Sequence, residues 1–297
     1  MTNKTTFAWN DGWASRAKAF GLAIAFLILW GLIAAAVGFL LVQAGVAAIP
    51  HKGQHQSLAQ VLLGELVLSG SAVLALLIFS RFSPSQLSQF GFKPTGWSRD
   101  LLLGILTGLG TMTAVLLVMK ALGGFEFGTM AIKPGEVLKY AVEYAAVFSL
   151  VAVTEELSMR SYSFVQLSRA VTAPVAALLL AILFGAAHMG NGGENVIGVL
   201  MAGSFGLVAA YTFFRSGALW FALGLHAAWD YAESFLYGVP DSGLVLEGTL
   251  MKPVFHGPQW LTGGAAGPEG SVLALAALVL MAGIARVVLP KREVLRV

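Results

Sequence analysis

Apolar runs of about 20 residues recur along this chain, and that length is what a helix needs to cross a hydrocarbon core of roughly 30 Å. The first reads "AFGLAIAFLILWGLIAAAVGFLLVQA" (19–44). Comparable runs cover 57–80, 100–122, 136–167, 173–189, 194–214, 217–237 and 270–290. Together they predict an all-α, polytopic membrane protein, a bundle of about eight transmembrane helices. Only 11% of the 297 residues are charged and mean hydropathy is +0.80, whereas a soluble domain carries about 25% charge. The net charge of +3 is spread thinly, so no nucleic-acid partner is expected. The chain reads as one membrane domain over 1–297, with its polar motifs in about 136–237 and a Gly/Pro-rich loop over about 238–269. Trp260, Phe255 and Leu261 make that loop too apolar for a free linker, so it is expected to be ordered or re-entrant. Gly104 and Gly108 form a GxxxG pair suited to helix packing.

Several chemistries are closed by composition. There is no cysteine, which removes disulfides, thiolate metal sites and a cysteine nucleophile. HExxH, GxSG and GxGD are absent too, leaving no match to zinc, rhomboid-serine or aspartyl intramembrane proteases. The first apolar run is longer than a signal-peptide core and reads as a retained span. Basic residues favour one side of the predicted topology. Twelve Lys and Arg, among them Arg16, Arg99, Arg215 and Arg286, fall on the side of the termini, against five on the other. That bias predicts cytoplasmic termini, and the compact loops suggest a bacterial inner membrane.

Against this apolar background "VTEELSMRSY" (153–162) is costly, because ionisable groups in lipid are expensive unless paired or used. At ~100° per residue, Glu156 and Arg160 lie about 40° apart and Glu155 and Arg160 about 140°. Glu156 is thus expected to pair with Arg160, leaving Glu155 facing elsewhere. Two further stretches, "FGAAH" (Phe184 to His188) and "HAAWD" (His226 to Asp230), add two histidines and an aspartate from other spans. His226 and Asp230 share a helix face, which lets the carboxylate orient the ring or hold its proton. Any one of these groups alone is equally well a packed, hydrogen-bonded side chain. Together they suit hydrolysis, in which one group takes a proton from water and others stabilise the charge on the attacked carbonyl. Glu65 and Glu143 lack such partners and read as interhelical hydrogen-bonders. His51 and His55 read as solvated loop residues.

In order and spacing the three stretches resemble the CPBP family of CAAX proteases and bacteriocin-processing (Abi) membrane proteins, of the Ras-converting type, whose pattern is EExxxR, FxxxH and HxxxN or HxxxD. The resemblance implies an intramembrane endopeptidase acting on a peptide or membrane-protein substrate among membrane lipid. It assigns Glu155 as general base, His188 as its partner in positioning water, and His226 as oxyanion donor, with Glu156, Arg160 and Phe184 in support. Asp230 stands where the prenyl proteases have Asn, so a carboxylate replaces a neutral donor. It either keeps His226 protonated, is itself protonated, or ligates a metal. "SMRSY" also lacks the Gly that commonly follows the family's arginine. Were the site metallic, Glu155, His188, His226 and Asp230 would be the zinc ligands; the glutamate-type resemblance favours no metal and no cofactor. Two other readings stay open: a non-enzymatic membrane regulator, scaffold or immunity protein that retains the motif, and a proton-coupled transporter, which the lack of an internal repeat disfavours. The polar motifs predict a cavity between the fourth, fifth and seventh spans.

Overall fold

The computed structural model describes residues 12–47, 57–81 and 87–290. His51, His55 and Lys52 lie outside them, as do Lys4, Lys291, Arg292 and Arg296. Helices α1 (Trp13–Gln43), α2 (Leu58–Arg81) and α3 (Trp97–Ala121) come first. Strand β1 (Phe125–Met130) precedes α4 (Val137–Arg160), α5 (Tyr162–Ala170), α6 (Ala173–His188), α7 (Val196–Ser216) and α8 (Trp220–Tyr231). A π turn (Ala232–Leu236), strand β2 (Met251–Phe255), a single turn α9 (Gln259–Thr262) and α10 (Val272–Val288) complete the chain. The polarity is that of a membrane bundle. Leu32, Phe39, Leu106, Ile182 and Val279 point outward, while Glu156, Arg160, His226 and Asp230 are buried.

The eight apolar segments are all helical, but only five helical stretches among the described residues have full spanning length: 13–43, 58–81, 97–121, 134–170 and 196–216. Helices α6 and α10 are shorter and apolar. The seventh run is shorter still, since Gly217 closes α7 in a left-handed cap (φ 68°) and the π turn ends α8. The long fourth run is two helices, broken at Ser161 (φ −97°, ψ −110°) immediately after Arg160. Buried hydroxyls repair the break: Ser161 Oγ donates to the Leu157 carbonyl and Ser163 Oγ to that of Ser158.

Glycines let α3 and α8 touch backbone to backbone. A Cβ at Gly104 or Gly108 would overlap the carbonyl oxygens of Phe221 and Leu225, and one at Gly224 would overlap that of Leu101. The GxxxG pair is therefore a packing device, and the helix it seats is the one that carries His226 and Asp230.

The strands were not foreseen from the sequence. β1 and β2 pair antiparallel, with Phe125 opposite Phe255 and Met130 opposite Met251. They join the loop after α3 to the Gly/Pro-rich segment, which also contains α9 and two single turns at 264–266 and 268–270. At the opposite end of the bundle arginines bind helix termini: Arg16 Nε donates to the Ala170 carbonyl (2.8 Å), Arg99 Nη2 to that of Val288 (2.7 Å) and Arg215 Nε to that of Leu289 (2.9 Å).

Candidate active site

Helix α4 delivers Glu155, Glu156 and Arg160 near its C-terminal end. Glu156 Oε1 lies 3.4 Å from Arg160 Nη1, with both side chains almost wholly buried. The guanidinium also lies over the Phe184 ring, 4.2 Å from its centroid. This gives the phenylalanine of the second motif its place: it covers the charge with a π face. Gly206 on α7 makes room, since a Cβ there would come within 2.7 Å of Arg160 Nη2.

His226 ties α8 to both glutamates. Its Nδ1–H donates to Glu156 Oε1 at 2.9 Å. Its Nε2 lies 3.3 Å from Glu155 Oε2 and 3.6 Å from Asp230 Oδ2. The second of these is too long for a hydrogen bond, so Asp230 acts on the ring through charge alone. Phe205 packs edge-on against the imidazole, with 4.8 Å between centroids. Carboxylates thus face both ring nitrogens, an arrangement that suits a ring with a proton on each.

Glu155, rotated away from Arg160 as its helical angle requires, keeps 26% of its side chain exposed. It opens onto a cavity of about 840 Å³ that Phe184, His188, His226 and Asp230 also line. His188 Nδ1–H donates to the Phe184 carbonyl at 2.8 Å, its i−4 backbone neighbour. That bond leaves Nε2 as the ring's free nitrogen. The cavity lies between α4, α6 and α8, as the motifs predict, with α2 and α7 as further walls and residues 241–245 of the loop closing one side. The four residues assigned from the motifs therefore border one space: Glu155 and Asp230 each approach His226 Nε2, and His188 shares the lining with them.

Several lining residues escaped sequence reasoning. Glu65 on α2 accepts from Thr154 Oγ1 (3.0 Å), the interhelical bond expected of it, yet it also lines the cavity beside Glu155. Asp241, Ser242 and Glu269 come from the loop. "PDSG" and "GPEG" read as turns, and no periodicity carries such residues into an interior. Burial, followed by the neighbouring Glu269 carboxylate, pushes the Asp241 carboxyl well above the usual carboxylate range; a hydrogen bond from Ser234 opposes this.

A hydrolytic zinc needs three converging lone-pair donors and an open position. His226 Nδ1 is engaged by Glu156, while its Nε2 faces Glu155 Oε2 and Asp230 Oδ2.

Fold and site together define a polytopic membrane protein with a buried carboxylate–imidazole centre. Residues 137–232 match the family model described as type II CAAX prenyl endopeptidase Rce1-like. Over that segment the chain is similar to the Rce1-like family, in agreement with the resemblance drawn from the three motifs. No curated protein and no solved structure matches the chain.

Proposed function

We propose that this protein is an intramembrane endopeptidase that cuts a peptide bond in or near the bilayer by direct attack of water. The observation that carries the reading is that Glu155, His188 and His226 line one cavity from three helices, with His226 hydrogen-bonded to Glu156. Glu155 takes a proton from water while His188 Nε2 orients it, and the water oxygen bonds to the scissile carbonyl carbon. The negative charge that moves onto the carbonyl oxygen meets the His226 Nε2–H. Before reaction that N–H faces the Glu155 carboxylate at 3.3 Å. Once Glu155 is protonated its hold on the N–H weakens, and the donor is released as the oxyanion forms. Collapse breaks the C–N bond, and Glu155 returns its proton to the departing amine.

In this reading Asp230 keeps His226 cationic, which answers how a carboxylate can replace the family's amide without repelling the oxyanion. Glu156, Arg160 and Phe184 hold the α4–α8 geometry. No metal or other cofactor takes part in the chemistry. The substrate is a peptide or a membrane-protein segment, and a cavity of about 840 Å³ lies within the range of ligand sites, roughly 300–1,000 Å³. The family's description names prenylated CAAX peptides, which are the first substrates to test. The arginine-rich end of the bundle supports cytoplasmic termini; the cavity, walled by 190–192 and 241–245, then lies toward the opposite face. The chain reads as one membrane domain.

The test is cleavage of quenched fluorescent peptides by the protein in liposomes. Glu155→Gln should lose about 10²- to 10⁴-fold, the share of a general base, and wild type should keep its activity under a zinc-selective chelator. Equal activity of wild type and Glu155→Gln would reject the mechanism and return the scaffold reading.

A further inference from the structure

A second group of acidic side chains lies beside the active site and takes no part in the proposed chemistry. Glu233 stands in the π turn, Asp241 in the following loop and Glu269 in the single turn before α10. One carboxylate oxygen from each lies within 4.8 Å of the others. An acidic cluster alone says little, since carboxyls can share protons. Glu233 adds an independent observation. It is wholly buried, and neither of its carboxylate oxygens has a hydrogen-bond partner among the described residues. Trp229 Nε1, the nearby indole donor, is committed to Glu269 Oε1 at 3.0 Å.

We propose that Glu233, Asp241 and Glu269 bind a hard divalent cation of the calcium class, which pins the loop wall of the cavity to the end of α8.

The donors match that chemistry. All three are carboxylate oxygens, with no imidazole or thiolate to favour zinc or copper. Calcium accepts roughly six to eight oxygens at about 2.3–2.6 Å in flexible geometry, whereas magnesium demands a near-ideal octahedron at about 2.0–2.1 Å and keeps most of its waters. The flanking groups act as outer-sphere donors that fix ligand orientation. Trp229 Nε1 and Ser242 Oγ each hold one oxygen of Glu269, and Ser234 Oγ donates to Asp241 Oδ2 at 3.2 Å. None of the three carboxylates belongs to an ion pair among the described residues. Buried charge of one sign needs a counter-charge or protons, and the one donor close to Glu233, the Trp229 indole, is neutral and already bonded to Glu269. The segment matched by the family model ends at residue 232. All three ligands lie beyond it.

The test is binding itself and does not depend on proteolysis. The full-length protein in phosphatidylcholine nanodiscs, stripped with a calcium chelator, is titrated with Ca²⁺, Mg²⁺ and Tb³⁺. Calorimetry should find one saturable Ca²⁺ equivalent, and Tb³⁺ luminescence should be sensitised by indole excitation, since Trp229 contacts Glu269. Glu233→Gln combined with Asp241→Asn should weaken Ca²⁺ binding at least tenfold. Hydrogen exchange on wild type requires no variant: Ca²⁺ should slow the amides of 232–245 before others. No saturable binding by wild type, binding undiminished in the folded double variant, or protection confined to another region would each overturn the proposal. A carboxyl cluster that shares protons without metal would give the first of these results.

Discussion

His226 Nδ1 lies 2.9 Å from Glu156 Oε1, so the imidazole on α8 and the guanidinium of Arg160 grip the same carboxylate oxygen. The ion pair inside α4 is therefore also the joint between the two helices that carry Glu155 and His226.

Breaking that joint from one side should cost more than removing it. Arg160→Met leaves Glu156 buried without its main counter-charge and should lower stability by about 3–5 kcal/mol, as for other broken buried pairs. Adding Glu156→Gln removes the orphaned charge yet keeps an acceptor for His226, and should recover part of the loss. A double-mutant cycle on unfolding in mixed micelles should give a coupling of about 1–3 kcal/mol. Strict additivity would mean that the two side chains do not interact.

The α3–α8 contact makes an equally sharp contrast between neighbouring glycines. Gly108→Ala forces a Cβ onto the Leu225 carbonyl oxygen and should cost about 1–3 kcal/mol through overpacking. Gly110→Ala, two residues on and with open space around it, should stabilise by roughly 0.5–1 kcal/mol through helix propensity. Thermal unfolding of the two variants side by side measures the difference in sign.

Asp230 and His226 should differ in weight. Since Asp230 Oδ2 stands 3.6 Å from Nε2 and makes no hydrogen bond to it, Asp230→Asn should keep cleavage within about tenfold. His226→Ala should lose about 10²–10³-fold, the scale of a missing oxyanion donor. Peptide turnover at saturating substrate tests both. A larger loss in Asp230→Asn than in His226→Ala would reverse the assignment.

Orientation is open to a simple labelling experiment, because the chain contains no cysteine. Ser98→Cys sits at the arginine-rich end and Glu247→Cys on the loop beside the cavity, both exposed. In intact cells an impermeant maleimide should label Glu247→Cys and spare Ser98→Cys. The opposite pattern would invert the topology.

Much of the site was legible before any coordinates. Helical angles alone separated Glu155 from Arg160 and paired Glu156 with it, because both contacts are set within one helix. The GxxxG spacing of Gly104 and Gly108 marked a packing face because it too is local to one helix, whereas its partner α8 was not legible. The bond from His226 to Glu156 was not, since it joins residues 70 positions apart and depends on how α8 seats against α4. The break at Ser161 was hidden because an apolar run reads alike whether straight or kinked, and its hydroxyl repair is tertiary detail. Strand β1 sat in a stretch too short to stand out between two spans. Glu233 looked like the tail of an apolar helix, and Asp241 and Glu269 looked like loop polarity, because burial of a loop residue leaves no periodic trace.

The cavity has two kinds of wall. The helices of the family-matched segment bring Glu155, His188, His226 and Asp230, while residues 241–245 come from a loop outside it. Under the proposed function, the groups assigned to the chemistry and part of the wall that a substrate would meet come from separate stretches of the chain. On that reading, mutations that remodel the loop would change which peptide is admitted while leaving Glu155, His188 and His226 in place, which makes this segment the natural place to alter when redirecting the protein to a new substrate.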